Sequence, residues 1–135
     1  MASIHKDIPL DAPAHEVWDA LRDFGALHTR LAPGFVTDCK LDGEARIVTF
    51  ANGTMARELL VDCDDDRRRL VYAVISERVK QHSASAQVIA EGEAHCRFVW
   101  ITDVLPHEIA PYVSAQMDAG AAAMQNALNR AKAAV

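Results

Sequence analysis

The sequence contains few residues that are arranged for chemistry on a metal, a phosphate or a covalent intermediate. Its six histidines form no HxH or HExxH motif and no paired Cys/His spacing, which argues against a zinc site. No GxGxxG, Walker or GxSxG pattern is present, so neither a nucleotide cradle nor a nucleophilic serine is indicated. We therefore expect no metal and no cofactor.

Three polar side chains of chemical interest lie within largely apolar segments. They are Glu58, Tyr72 and His82. A carboxylate, a phenol and an imidazole are groups that orient a ligand in an apolar pocket, and they are also groups for acid-base catalysis. We expect burial of Glu58 to raise its pKa, so that it could exchange protons with a nearby His82. Both roles require that the three side chains converge, which depends on the elements that carry them.

The composition limits the class of protein. With 135 residues, 50% apolar, the chain is expected to form one domain over residues 1–135 with a core of its own. The net charge of -5 argues against nucleic-acid binding. No segment has the pattern of a signal peptide or of a membrane span. Three cysteines without a CxxC pair indicate reduced thiols and a cytoplasmic location.

The first part of the chain predicts a strand followed by two short helices. Residues 4–10 alternate between apolar and polar, as in a strand. Asp11 and Pro13 then predict a helix start, with the Asp11 carboxylate as the cap. That helix ends near Gly25, and a second short helix is expected over Leu27–Leu31.

The middle of the chain predicts six further strands, separated by turn residues. Asp42-Gly43 and Asn52-Gly53 are strong signals for antiparallel hairpins. The predicted strands are 35–41, 46–51, 55–63, 70–75, 80–90 and 94–102.

After Pro106 the apolar residues recur at helical spacing. Ile109, Val113, Met117 and Met124 make one stripe, which predicts a helix over nearly the whole remaining chain, about 40 Å long at 1.5 Å per residue. This helix must cover one face of the sheet, because no other element is available. Small residues over 119–123 allow either close approach to the sheet or an open space beneath the helix.

This order of elements resembles the START-like or helix-grip superfamily, often called SRPBCC, and most closely its polyketide cyclase/dehydrase and lipid-transport branch. Residues 8–21 read IPLDAPAHEVWDAL and are similar to the entry strand and helix of that family, and Phe98-Val99-Trp100 resembles its penultimate strand. The resemblance implies an α+β helix-grip fold, in which a seven-stranded curved antiparallel sheet wraps around a long C-terminal helix. It also implies an apolar cavity that holds a hydrophobic ligand.

Strand alternation places some side chains on the cavity face. On the last two strands His82, Phe98 and Trp100 are predicted to point inward. Periodicity does not decide between the two faces for Glu58 and Tyr72, because both faces of their strands are apolar.

A further resemblance decides the face of those two residues. The spacing from Glu58 through residues 64–66 to Tyr72 is similar to that in the plant abscisic acid receptors of this superfamily, whose matching acid and aromatic line the cavity. An alternative stays open, in which Glu58 points to solvent and pairs with Arg57, Arg68 or Lys80. The predicted ligand-binding set is Glu58, Tyr72, Val74, His82, Phe98, Trp100 and Met117.

The resemblance also implies a rim that could gate entry to the cavity. The segments that carry His28, Arg30, Asn52 and Gly53 fall where helix-grip proteins place this rim. His28 and Arg30 are hypothesised to meet an anionic headgroup there.

Three functions follow as hypotheses. The leading one is a carrier or sensor that binds a small hydrophobic or amphipathic molecule. The second is a polyketide aromatase/cyclase or dehydratase that uses Glu58, His82 and Tyr72 as acid-base groups. The third is a protein-interaction module, such as a chaperone cofactor, with a filled cavity and an exposed apolar patch formed by Val71, Ile75, Val99 and Ile101.

Overall fold

Seven strands, two short helical segments after the first strand and one long helix follow one another in the predicted order, and a single 3-10 turn at His107–Ile109 precedes the long helix. The computed structural model describes residues 2–129. The strands are β1 (Ser3–Leu10), β2 (Val36–Asp42), β3 (Ala45–Phe50), β4 (Met55–Asp64), β5 (Arg69–Ile75), β6 (Gln81–Ala90) and β7 (Cys96–Leu105). They form one sheet in the order β1-β7-β6-β5-β4-β3-β2. Each neighbouring pair is antiparallel, which confirms the predicted α+β helix-grip architecture.

The strand that differs most from its predicted range is β7. It begins at Cys96 and continues to Leu105, whereas the sequence predicts residues 94–102. Pairing with β1 extends to Asp103, opposite Ser3, and Val104 is buried. The inward alternation therefore continues past the predicted end of the strand.

Two helical segments connect the sheet edges β1 and β2. The first, α1 (Ala14–Arg22), buries Val17 and Trp18. The second, Leu27–Leu31, has the predicted bounds and is a single π-helical turn. In it the amide of Ala32 donates to the carbonyl of Leu27 at 2.9 Å.

The prediction that Asp11 caps α1 is wrong. Pro13 occupies the cap position, and no side chain bonds the free amides there. The Asp11 carboxylate lies instead 2.8 Å from Nδ1 of His95, and the backbone amide of Asp11 donates to the side chain of Asn129. The Pro13 ring already fixes the φ angle at which the helix begins, so the helix starts without a carboxylate cap.

The long helix α2 (Ala110–Leu128) lies across the inner face of the sheet. The predicted stripe is its buried face, with Val113, Met117, Gly120 and Met124 enclosed. Its 19 described residues span about 28 Å, and the predicted continuation over 130–135 lies outside the described residues. Across residues 2–129, no helix is long and apolar enough to cross a membrane.

Lys6 ties α2 to the sheet edge. Its ammonium group donates to Ser114 Oγ at 2.9 Å and lies 2.9 Å from the Asp118 carboxylate. Trp100 packs against both buried clusters, one that includes Met124 and one formed by Val104, Val113 and Met117. Trp100 therefore lies between the two halves of the interior.

Candidate functional site

A cavity of about 580 Å³ lies between the sheet and α2. The Leu27–Leu31 segment, the loop before β2 and the start of α2 all contribute to its lining. Most of the lining is apolar, and the polar side chains occur in a few places. The cavity has the size and lining of a small-molecule site.

All seven residues of the predicted ligand-binding set line this cavity. Strand pairing explains the convergence, because Glu58 lies opposite Val74, Tyr72 opposite Ala84, and Ala86 opposite Trp100. Side chains at such positions share one face of a pleated sheet. The residues that the structure brings together are Glu58, Tyr72, Val74, His82, Phe98, Trp100 and Met117.

Glu58 is buried and forms an ion pair with Arg46. Nε and Nη2 of Arg46 both lie 2.8 Å from Oε1 of Glu58, and the two side chains are only 5% and 8% exposed. The alternative in which Glu58 points to solvent is therefore wrong. Arg46 is not among the predicted site residues, although the Asn52-Gly53 hairpin places it directly opposite Glu58.

Arg46 is held from several sides. Its Nη1 donates to the carbonyl of Phe24 at 3.2 Å, and its guanidinium lies 4.0 Å from the centre of the Phe24 ring. The centre of the Tyr72 ring lies 5.4 Å from the same guanidinium. These contacts offset part of the cost of removing the cation from water.

Three aromatic residues form the wall beneath α2. Trp100 Nε1 donates to the Tyr72 hydroxyl at 3.2 Å, and Phe98 packs edge-on against Trp100. Gly120 makes this packing possible, because a Cβ at this position would lie 3.2 Å from the rings of Trp100 and Phe35. Burial raises the pKa of Tyr72, with a further contribution from the Glu58 carboxylate, so the phenol keeps its proton.

His82 lies closer to the start of α2. Burial lowers the pKa of its imidazole from 6.5, so the ring is neutral at physiological pH. Among the hydrogen bonds of residues 2–129, none joins His82 to Glu58. The predicted exchange of protons between these two groups therefore has no direct path in this structure.

The four predicted rim residues lie outside the cavity lining. Arg30 is held by Asp19 and by Asp23, at 2.5 and 2.9 Å. Asn52 accepts hydrogen bonds from Thr54 within its own turn, and Gly53 has a φ of +87°. His28 has a buried Nδ1 without a hydrogen-bond partner in the described chain. Their chain neighbours line the cavity instead, namely Leu27, Leu31, Phe50 and Thr54.

Four further residues line the cavity that hydrophobic periodicity does not indicate. Met55 and Tyr112 are 66% and 57% exposed, so the cavity reaches solvent at these residues. Arg78 and Glu108 line it too. The turn between β5 and β6 and the start of α2 come from distant parts of the chain, and periodicity does not show that they border one cavity.

The four apolar residues of the interaction-module hypothesis lie on the outer face of the sheet. Ile75 is 53% exposed. Val71, Val99 and Ile101 are half-buried.

Comparisons with known proteins agree with this geometry. The family model described as polyketide cyclase/dehydrase and lipid transport matches residues 1–135. A search of curated proteins finds no match.

Solved structures share the fold. The XoxI protein of Bacillus cereus superposes with a TM-score of 0.82 at 21% identity, covering 95% of this chain and 96% of its own. A START superfamily protein of Mycobacterium smegmatis gives 0.76 at 12% identity, covering 95% and 97%. A norcoclaurine synthase mutant of Thalictrum flavum, in complex with a transition-state analogue, gives 0.66 at 20% identity, covering 92% and 91%.

The ion pair generates a stability prediction. Glu58→Leu leaves the buried Arg46 without its counter-ion and is expected to lower the free energy of unfolding by about 3–5 kcal/mol. The double variant Arg46→Met/Glu58→Leu removes both charges and should recover most of that loss. Urea denaturation near neutral pH measures both, and a double variant as unstable as Glu58→Leu would contradict the argument.

His82 generates a pH prediction. The pKa of His82 is lower in the folded protein than in the unfolded chain. As the pH falls towards about 6.5, the unfolded chain therefore binds a proton at this residue before the folded protein does. His82 therefore contributes a loss of stability that grows as the pH falls through about 6.5. The variant His82→Gln should show a smaller loss over the same fall in pH, measured by urea denaturation. An equal loss in both proteins would contradict the burial of His82.

Proposed function

The chain belongs to the polyketide cyclase/dehydrase and lipid transport family, and on this premise we propose that it binds a small hydrophobic or amphipathic molecule between the sheet and α2, as a carrier or sensor. A lipid, a polyketide or another aromatic or isoprenoid-like molecule has the required character. The proposal treats residues 1–135 as one domain. The observation that carries it is the apolar cavity of about 580 Å³ with a few converging polar groups.

The state of the polar groups favours binding over catalysis. Glu58 is held by two donors of Arg46, so its carboxylate is already committed to a partner. Tyr72 keeps its proton, because burial raises the pKa of its phenol. A group that transfers protons rapidly needs a pKa near the working pH. These two residues are better suited to holding a ligand than to moving its protons.

A catalytic alternative is favoured by His82. Its imidazole is neutral and lines the cavity, and it makes no hydrogen bond with another residue of the described chain. Such a group can accept a proton from a carbon next to a carbonyl, as a cyclisation or a dehydration requires. In this alternative Glu58 and Tyr72 position the substrate.

The interaction-module alternative receives less support. It required a cavity filled by side chains, and the open volume argues against that. The free thiols of Cys39, Cys63 and Cys96 support the proposed cytoplasmic location.

Native mass spectrometry tests the proposed binding. Freshly purified protein should carry a small hydrophobic passenger, absent from the denatured mass. Val74→Trp should exclude the passenger, because Val74 lines the cavity. Val71→Trp is the matched control, since Val71 belongs to the same strand but faces outward, and it should keep the passenger. A bare chain that no lipid, quinone or polyphenol stabilises against heat would overturn the proposal.

Mass spectrometry also distinguishes a carrier from an enzyme. A carrier returns an added β-hydroxydecanone unchanged. A dehydratase removes the hydroxyl group together with a proton from the carbon next to the carbonyl. The recovered molecule is therefore lighter by one water. If that loss occurs and His82→Gln abolishes it while binding persists, the catalytic alternative is correct.

A further inference from the structure

The charge of Arg46 is not available to a ligand. Two of its nitrogens contact Oε1 of Glu58, and Nη1 donates to the Phe24 carbonyl. Both members of the ion pair are buried. This part of the cavity is therefore polar but carries no net charge.

The ion pair leaves one acceptor unused. Both donors of Arg46 contact the same carboxylate oxygen, Oε1. No hydrogen bond within residues 2–129 uses the second oxygen, Oε2, and Glu58 lines the cavity. A carboxylate oxygen without a donor is a strong acceptor in an apolar surrounding.

Tyr72 leaves one donor unused. Its oxygen accepts a hydrogen bond from Trp100 at 3.2 Å. No acceptor for the phenol proton occurs among the described residues, although a buried hydroxyl is normally satisfied as both donor and acceptor. The Tyr72 side chain also lines the cavity.

The unused acceptor and donor are neighbours. Glu58 lies opposite Val74, and Tyr72 is two residues from Val74 on the same face of β5. Such diagonal positions on adjacent strands are about 7–8 Å apart at the backbone. One small functional group between the two side chains can reach both.

We propose, building on the ligand binding proposed above, that the cavity selects a molecule with an uncharged end group that carries one acceptor and one donor, as in a carboxamide or a hydroxyketone. The acceptor of the ligand accepts a hydrogen bond from the Tyr72 hydroxyl, and the donor of the ligand donates to Oε2 of Glu58. A carboxylate is disfavoured, because it would lose its hydration without gaining a free cation and would face the Glu58 oxygen.

Among the described residues, one other permanently charged cation lines the cavity, Arg78, and it is exposed. Glu108 also lines the cavity and is exposed. Charges in contact with water attract a ligand only weakly. Arg78 is therefore not expected to reverse the preference set between Glu58 and Tyr72.

Three probes with the same ten-carbon chain test the inference by isothermal titration calorimetry. They are decanamide, methyl decanoate and decanoate. Decanamide should bind about tenfold more tightly than methyl decanoate, since only the amide donates to Glu58. Decanoate should bind more weakly than both. Equal affinities for amide and ester, or tighter binding of decanoate, would overturn the inference.

Two variants assign the contacts. Tyr72→Phe should weaken decanamide and methyl decanoate by a similar factor of about five, leaving the ratio between them unchanged, because both probes use the phenol. The double variant Arg46→Met/Glu58→Leu should abolish the preference for the amide. If the preference persists in that variant, Glu58 is not the acceptor. Undecane, which has neither group, is the control probe and should bind Tyr72→Phe as it binds the unmodified chain.

The outcomes separate this inference from the proposed function. If a passenger is present in native spectra but the three probes bind without the expected order, the cavity binds ligands and only the end-group inference fails. If there is no passenger and no probe binds, both proposals fail.

Discussion

One helix packs on the inner face of a seven-stranded sheet, and it is too narrow to cover that face. Seven strands extend over about 29 Å along the hydrogen-bonding direction, whereas a helix with its side chains is about 10–12 Å across. The sheet must curve around α2, and the space beside the helix is closed only in part by α1 and the Leu27–Leu31 segment. The cavity is thus a consequence of the architecture. At Gly120 the missing side chain lets the Trp100 and Phe35 rings approach the helix backbone.

Polar groups inside this cavity are arranged so that their charges cancel. An isolated Glu58 at this depth would be costly, and Arg46 on the next strand compensates it. The guanidinium is in turn covered by two aromatic rings and bonded to a backbone carbonyl. The pair provides polarity without net charge.

The family provides the scaffold, whereas the function depends on individual side chains. Proteins at 12–21% identity share the fold of this chain over most of its length. Fold alone does not determine activity, since one architecture hosts many functions. In this chain the polar features of the cavity include the Arg46–Glu58 pair, the Tyr72–Trp100 hydrogen bond and the neutral His82.

The sequence by itself determined the order of elements, most strand limits within a few residues, and the inward face of β6 and β7, because alternation and turn residues act over short distances. It did not determine the face of Glu58, since both faces of β4 carry apolar side chains. Only the tertiary structure showed that Arg46 lies opposite Glu58 in a buried pair, that Arg30 is held by two carboxylates, and that Arg78 and Tyr112 line the same cavity. These facts depend on contacts between segments that are distant in the chain. Hydrophobic periodicity records which side of an element is buried, but it carries no information about which side chain lies across from it.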